Sequence, residues 1–327
     1  MDALLPKLSE IQSAAKLIYQ SMSPTPQYSW PLMNVRAGAE VWLKHENHSP
    51  VGAFKVRGGL VYMDWLRRER PEVKTVVSAT RGNHGQSLAY AAAQYGIRVV
   101  IVVPFGNSVE KNRAMRALGA ELVEFGEDFQ EASEHAEHLE RENGWHRVPS
   151  FDMRLVLGVA TSTLEFFTAC PAMDTIYVPI GMGSGVCGAI AVRNALGLAT
   201  KVVGVVSTHA PAYAESFAAG EVKEHEACTL IADGVACRKP DATALEIIMA
   251  GVDRIVLIDD DEAREAMRAC FADTHNVAEG AGAIGLAALL KDRSAGGQTV
   301  GTVLTGGNVN SELFGEVLNS GRVVSLA

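Results

Sequence analysis

Three observations predict an α/β protein with mostly parallel sheets. Short β-branched runs alternate with helix-period segments from about residue 74 to residue 304. A glycine-rich turn joins one of these strands to the helix after it. The 327 residues, at roughly 150 per domain, allow about two domains that each bury a core. Parallel strands require right-handed helical crossovers, so both faces of each sheet are expected to be covered.

The elements follow in order. Residues 74–79, 98–103 and 121–125 read as strands, separated by helices at 83–95 and 108–118. Residues 129–142 form a further helix whose Glu, His and Arg side chains make a solvated face. Beyond it, strands are expected at 175–179, 201–206, 254–258 and 299–304. Helices are expected at 186–196, 241–249, 262–271 and 281–290. No linker, low-complexity tract or repeat divides the chain, and the natural break lies near residues 145–155.

Composition sets the outer limits. Hydrophobic residues make up 48% and charged residues 20%, so the chain should fold throughout. The net charge of −9 disfavours nucleic acid and anionic membranes as partners. Five cysteines, odd in number and without a CxxC pair, read as reduced thiols and not as a zinc site or disulfide framework. No apolar run approaches the ~18 residues of a membrane span, and residues 1–7 lack the pattern of a secretion signal. A cytoplasmic location is the expectation.

The strongest local motif is Gly181-Met182-Gly183-Ser184-Gly185-Val186-Cys187-Gly188, between a strand and a helix. Glycines let backbone N–H groups crowd round an anion, and the helix start adds positive potential, so the element suits a phosphate. A tight turn without ligand is the alternative. Residues 183–188 also satisfy GxGxxG, but the next strand ends Val205-Val206-Ser207-Thr208-His209 with no acid for a ribose. An NAD-dependent oxidoreductase is therefore a remote alternative, and no Walker loop occurs. In His45-Glu46-Asn47-His48 the histidines stand three apart where HExxH needs four, and a surface turn is expected there.

Two further segments place polar groups unusually. Lys55 stands beside Phe54 in the Gly-bounded stretch 50–59, and residues 78–86 end a strand and start a helix at Asn83, a second anion site. Singly, Lys55 reads as a solvated lysine and Asn83 as a helix cap. Together with a phosphate loop they point to pyridoxal phosphate: a lysine for the Schiff base, an aromatic ring and a cradle.

These residues resemble the serine/threonine dehydratase (ammonia-lyase) family, fold type II pyridoxal-phosphate enzymes. The resemblance runs in order through Ser23-Pro24-Thr25-Pro26, Leu43-Lys44-His45-Glu46-Asn47, residues 50–59 and Gly82-Asn83-His84-Gly85-Gln86. It continues through Gly119-Ala120-Glu121, the glycine loop, Ala232-Asp233-Gly234, Glu279-Gly280-Ala281-Gly282-Ala283 and Thr305-Gly306-Gly307-Asn308.

The resemblance implies two doubly wound domains of the tryptophan synthase β-like type, with the cofactor in the cleft between them. Residues 1–60 and 150–327 would form the large cofactor-binding domain, and 61–149 the small substrate-closing one. Lys55 would carry the cofactor and act as base at Cα. Phe54, Asn83, Gly181, Met182, Gly183, Ser184, Gly185, Glu279 and Thr305 would hold the cofactor, and Thr80, Arg81, Gly82 and His84 the substrate. A neutral hydroxyl at Thr305, facing the pyridine nitrogen, makes the ring a weaker electron sink and suits β-elimination over transamination. The implied activity is dehydration and deamination of a β-hydroxy amino acid to a 2-oxo acid and ammonia, by a homodimer acting in amino-acid catabolism. The substrate is of threonine or serine type, with 3-hydroxyaspartate or phenylserine as further candidates. A β-replacement synthase or a racemase of the same fold is the alternative.

Departures from the family pattern carry their own expectations. Two small residues usually precede the Gly82 position; here they are Thr80-Arg81. A serine in the second position is the racemising acid/base of eukaryotic serine racemase, so Arg81 argues against racemisation. Arg81 is expected either to contact a substrate carboxylate or to turn outward to a surface acid. The family's GQGT becomes Gly158-Val159-Ala160-Thr161, where Val159 either widens the pocket for a larger side chain or belongs to the core. Acids that hold a divalent cation in some members align with Val206 and Ala212, so no metal is expected there. Only 19 residues follow Asn308, which fits a catalytic core without an appended regulatory domain.

Overall fold

The computed structural model describes residues 4–170, 173–292 and 297–320. The chain enters a first sheet with β1 (Gln27–Ser29) and β2 (Glu40–His45), then leaves it for a second one. That second sheet holds β3 (Thr75–Ala79), β4 (Arg98–Val103), β5 (Glu121–Glu124) and β6 (His146–Arg147). The chain then returns for β7 (Thr175–Pro179), β8 (Lys201–Ser207), β9 (Arg254–Ile258) and β10 (Thr299–Leu304). The six-stranded order is β1-β2-β10-β7-β8-β9 and the four-stranded order β5-β4-β3-β6. Every pairing is parallel except β1 with β2. Pairing of β2 with β10 means that both ends of the chain build the larger sheet.

Both sheets are covered on both faces, as the alternation within single strands demonstrates. In β8, Val202 and Val206 enter the core made with helices Met153–Ala169, Ser184–Ala195 and Ala242–Gly251. Val203 and Val205 point the other way, toward helices Pro31–Ala37, Asp260–Thr274 and Gly280–Lys291. In β4, Val99, Ile101 and Val103 face one core and Val100 and Val102 the other. A period of two with apolar residues on both phases is what a doubly covered parallel strand requires. All five cysteines are free thiols, and only Cys228 is exposed. Among the described residues no helix is long and apolar enough to cross a membrane.

The expected strands and helices after residue 74 are present, with ends shifted by a few residues at most. Before residue 74 the structure adds helices Leu8–Ile18, Pro31–Ala37 and Lys55–Glu69, and the expected break at 145–155 holds β6 and the start of helix Met153–Ala169. Glycines masked the helix Lys55–Glu69 in the sequence. A Cβ on Gly59 would stand 2.3 Å from Ser87 Oγ, and one on Gly158 would stand 2.3 Å from the Arg57 carbonyl oxygen. These glycines let three helices approach closely; they do not end one.

The expected surface turn at residues 45–48 is corrected. Glu46–His48 form a short 3₁₀ turn, but His45 and Glu46 are fully buried. The cause is an ionic cluster. Arg57 donates to Glu46 at 2.8 Å, to Glu165 at 2.6 Å and to the Thr161 hydroxyl at 3.0 Å. Lys44 donates to Glu165 at 2.5 Å and to the Thr25 carbonyl at 2.6 Å. Desolvation opposes ionisation of Glu46, but Arg57 and Lys44 hold its carboxyl below the usual range.

Candidate active site

Lys55 opens the helix Lys55–Glu69, and the loop before it is tied to the end of β10. The Phe54 N–H donates to the Thr305 carbonyl at 2.9 Å, Gly307 N–H donates to Gly52 at 2.9 Å, and Ala53 bridges Gly306. Ser49 Oγ both donates to the Ala53 carbonyl and accepts from its N–H, at 2.8 and 2.9 Å. The lysine therefore leaves a fixed turn, two residues ahead of Arg57 and its buried partners. Desolvation pushes its ammonium down to about 8, and its Nζ has no hydrogen-bond partner among the described residues. A lysine in this state offers a neutral amine at mild pH.

The second wall is the start of helix Asn83–Ala93, which follows β3. Thr80 Oγ1 accepts from the Gly82 N–H at 3.1 Å and shapes the turn. A Cβ on Gly82 would stand 2.6 Å from Lys111 Cδ, so only glycine fits there without displacing the lysine. Asn83 is held on both sides, donating to Glu279 Oε1 at 2.5 Å and accepting from Asn308 Nδ2 at 2.8 Å. His84 is buried with an unpartnered Nε2, and desolvation reinforced by Lys55 pushes its pKa down to about 3. It is a neutral imidazole.

The third wall is the glycine loop between β7 and helix Ser184–Ala195. Gly183, at φ +99°, forms the turn in a left-handed conformation, and a Cβ on Gly181 would stand 2.6 Å from the Gly234 carbonyl oxygen. The Phe54 ring lies against Gly185. Tyr213, which the sequence did not single out, donates to the Met182 carbonyl at 3.0 Å and accepts from the Asp241 N–H at 3.2 Å. It braces the loop against the cap of helix Ala242–Gly251.

Lys111 was also missed. It is buried, donates to Asp233 at 2.8 Å and lies 3.4 Å from Glu279 Oε2. Although desolvation opposes it, Glu279 and Asp233 raise the Lys111 pKa to about 12. Desolvation raises the Glu279 carboxyl, and Oε2 makes no hydrogen bond. A signal for Lys111 existed: a lysine in the first turn of a helix opposes the dipole and needs acidic partners.

Every candidate residue from Phe54 and Lys55 to Glu279 and Thr305 lines one cavity of about 140 Å³. Val159 does not; it is buried inside helix Met153–Ala169, so the wider-pocket expectation falls and Val159 is a core residue. Val206 and Ala212 are buried apolar positions, and among the described residues no group of three or more His, Cys, Asp or Glu could hold a metal. Arg81 is half-buried on the cavity wall.

The comparisons with known proteins agree with this geometry. The family model described as pyridoxal-phosphate dependent enzyme matches residues 18–306. The chain belongs to that family. An L-threonine ammonia-lyase of Thermotoga maritima is 31% identical over 97% of this chain and 79% of its own length. Another from Geobacter sulfurreducens is 34% identical over 89% of this chain and 72% of its own. The structure of maize serine racemase superposes with a TM-score of 0.89 at 25% identity, covering 96% of this chain and 97% of the other. Within the pyridoxal-phosphate enzymes, then, the chain sits in the serine/threonine dehydratase (ammonia-lyase) family of tryptophan synthase β-like fold, and its cofactor is pyridoxal phosphate.

This chain's residues fit the cofactor chemically. Two helix starts and a glycine loop face one cavity, which suits a phosphate. The cavity also presents an unpartnered lysine amine and two buried polar atoms without a hydrogen bond, His84 Nε2 and Glu279 Oε2, the second of them ion-paired with Lys111. Lys111 offsets the acids Asp233 and Glu279, so the wall does not repel an anion.

Proposed function

We propose that this pyridoxal-phosphate enzyme removes water and ammonia from a β-hydroxy amino acid of the threonine or serine type. One amino acid gives one 2-oxo acid and one ammonium; the water lost from Cβ is balanced by the water that hydrolyses the imine. The observation that carries the reading is the lysine: Lys55 is fixed in an enclosed turn, carries no counter-ion and is pushed down to about 8.

Bound pyridoxal phosphate supplies a carbonyl that captures an amine and a ring that accepts the electron pair left at Cα. Lys55 would hold the cofactor and, when the substrate amine is bound in its place, its neutral amine would remove the Cα proton. The loop at 181–185, with Ser184, would hold the phosphate through backbone N–H groups, with Tyr213 keeping that loop in shape. Asn83, fixed by Glu279 and Asn308, and Phe54 would help to hold the ring. Thr305 would offer it a neutral hydroxyl, which limits electron withdrawal and suits loss of the β-hydroxyl. Thr80, Gly82 and the first N–H groups of helix Asn83–Ala93 receive the substrate carboxylate, and His84 stays neutral, so it adds no charge beside Lys55. Residues 61–149 are taken as the part that closes over the substrate. The proposal extends to a homodimer in the cytoplasm; exposed Tyr28, Leu32 and Val35, in and just after edge strand β1, offer an apolar face for the pairing of two copies.

Purified enzyme should show an absorbance band near 410–430 nm (roughly, as expected of a lysine-bound cofactor) that is absent in Lys55→Ala. It should release ammonia and 2-oxo acid in equal amounts from one of threonine, serine, 3-hydroxyaspartate or phenylserine. A band without release, accompanied by loss of optical activity of the amino acid, would favour the racemase reading instead.

A further inference from the structure

Beyond the cofactor cleft lies a second cavity of about 540 Å³, between helix Phe129–Asn143 and the segment 226–241. Among the described residues, Arg81 is the one charged side chain on the wall that the two cavities share. Phe129, Met182, Ala236 and Cys237 make the rest of that wall mostly apolar. A guanidinium in such a place is open to an anion from outside the chain.

The protein supplies none. Among the described residues Arg81 has no hydrogen-bond or ion-pair partner, whereas the other cations lining the second cavity are all engaged. Arg147 pairs with Glu140 at 3.0 Å, Arg238 with Asp128 at 3.0 Å and Lys239 with Glu224 at 2.6 Å. The alternative of an outward arginine on a surface acid is therefore not what the structure holds. A carboxylate matches the two-pronged donor geometry of a guanidinium, so an arginine left unpaired on a cavity wall is a ready receiver for one.

The α-carboxylate has a nearer receiver in the free N–H groups at the start of helix Asn83–Ala93, next to Thr80. Arg81 lines both this cleft and the second cavity beside it. We propose that Arg81 binds a second, distal carboxylate. The substrate class is then a β-hydroxy amino acid bearing two acids, of which 3-hydroxyaspartate is the smallest. The inference rests on the elimination reading above and narrows its substrate.

The test compares kcat/KM on 3-hydroxyaspartate and threonine, by ammonia release, in wild type, Arg81→Ala and Arg81→Lys. Wild type should favour 3-hydroxyaspartate by at least tenfold. Arg81→Ala should cut that preference by at least tenfold, mainly through KM, and Arg81→Lys should restore part of it. Equal losses on both substrates, or a wild type that prefers threonine, would overturn the proposal. A second measurement separates it from the elimination reading: titration of the bound cofactor's absorbance with L-aspartate and L-alanine, neither of which carries a β-hydroxyl. The Kd of L-aspartate should rise at least tenfold in Arg81→Ala, and that of L-alanine by no more than threefold. If that holds while no hydroxy amino acid yields ammonia, elimination fails and the distal site stands. If ammonia is released but L-aspartate binding ignores Arg81, the distal site fails and elimination stands.

Discussion

Lys55 shows how far a single residue could be read. Its type and its glycine-bounded neighbourhood were legible; its state was not, because desolvation depends on walls drawn from residues 79 to 305. With the pKa at about 8, the neutral amine is about tenfold scarcer at pH 7 than at pH 9. Capture of pyridoxal phosphate by the cofactor-free protein, followed by growth of the absorbance band, should accelerate by that factor between those pH values and level off above pH 9. A rate that keeps rising toward pH 10.5 would mean that Lys55 is not desolvated. The sign for stability follows: the folded pKa lies below the unfolded one, so Lys55 costs stability below pH 8, and the cost fades as pH rises toward 10.5. Tyr213 carried no motif at all, since its role is a hydroxyl wedged between two backbone groups. Tyr213→Phe should raise the Kd for pyridoxal phosphate about tenfold, as expected for loss of roughly one hydrogen bond to the loop and one to the cap. Equilibrium titration of the cofactor-free protein measures it, and an unchanged Kd would rule out the brace.

At the scale of elements, seven strands and seven helices after residue 74 could be read because their patterns are local, while helices Met153–Ala169, Ala212–Ala219 and Ser311–Asn319 were not. Nor was the helix Lys55–Glu69. Its glycines at 58 and 59 have meaning only against the helices Asn83–Ala93 and Met153–Ala169, which lie far along the chain. The same holds for the buried cluster of Arg57, Glu46, Lys44 and Glu165, which looks in sequence like ordinary charge. Arg57 joins the Lys55 helix to helix Met153–Ala169 and to the turn after β2, so it positions the lysine through the backbone. Arg57→Leu would leave Glu46 and Glu165 buried with Lys44 as the remaining cation. The expected loss is about 3–5 kcal/mol in stability, the usual cost of removing one partner from a buried pair. Denaturant unfolding of the cofactor-free protein checks it. A loss below about 1 kcal/mol would mean that the cluster is hydrated and adds little.

For the molecule as a whole, the cleft is bridged by a few polar contacts between the helices of the four-stranded sheet and the other sheet. Lys111 reaches Asp233 and Glu279, Glu110 accepts from Ser311, and Asp128 meets Arg238. None of these pairings was readable, because each joins residues more than 100 positions apart. Lys111 is the deepest of them and the most demanding, since Glu279 is buried behind it. Lys111→Met would leave Glu279 facing Asp233 without a cation, and its carboxyl, already raised by desolvation, would rise further. A carboxyl whose folded pKa lies above its unfolded value favours the folded state below the ordinary carboxylate range and loses that contribution as pH rises. The variant's deficit in melting temperature should therefore be large at pH 8 and shrink on acidification, as Glu279 takes up a proton. Amide exchange in helix Val109–Ala117 should quicken in parallel, because that helix loses its hold across the cleft. A deficit that is constant with pH, with unchanged exchange, would show that Lys111 serves neither as counter-charge nor as a clasp between the two sheets.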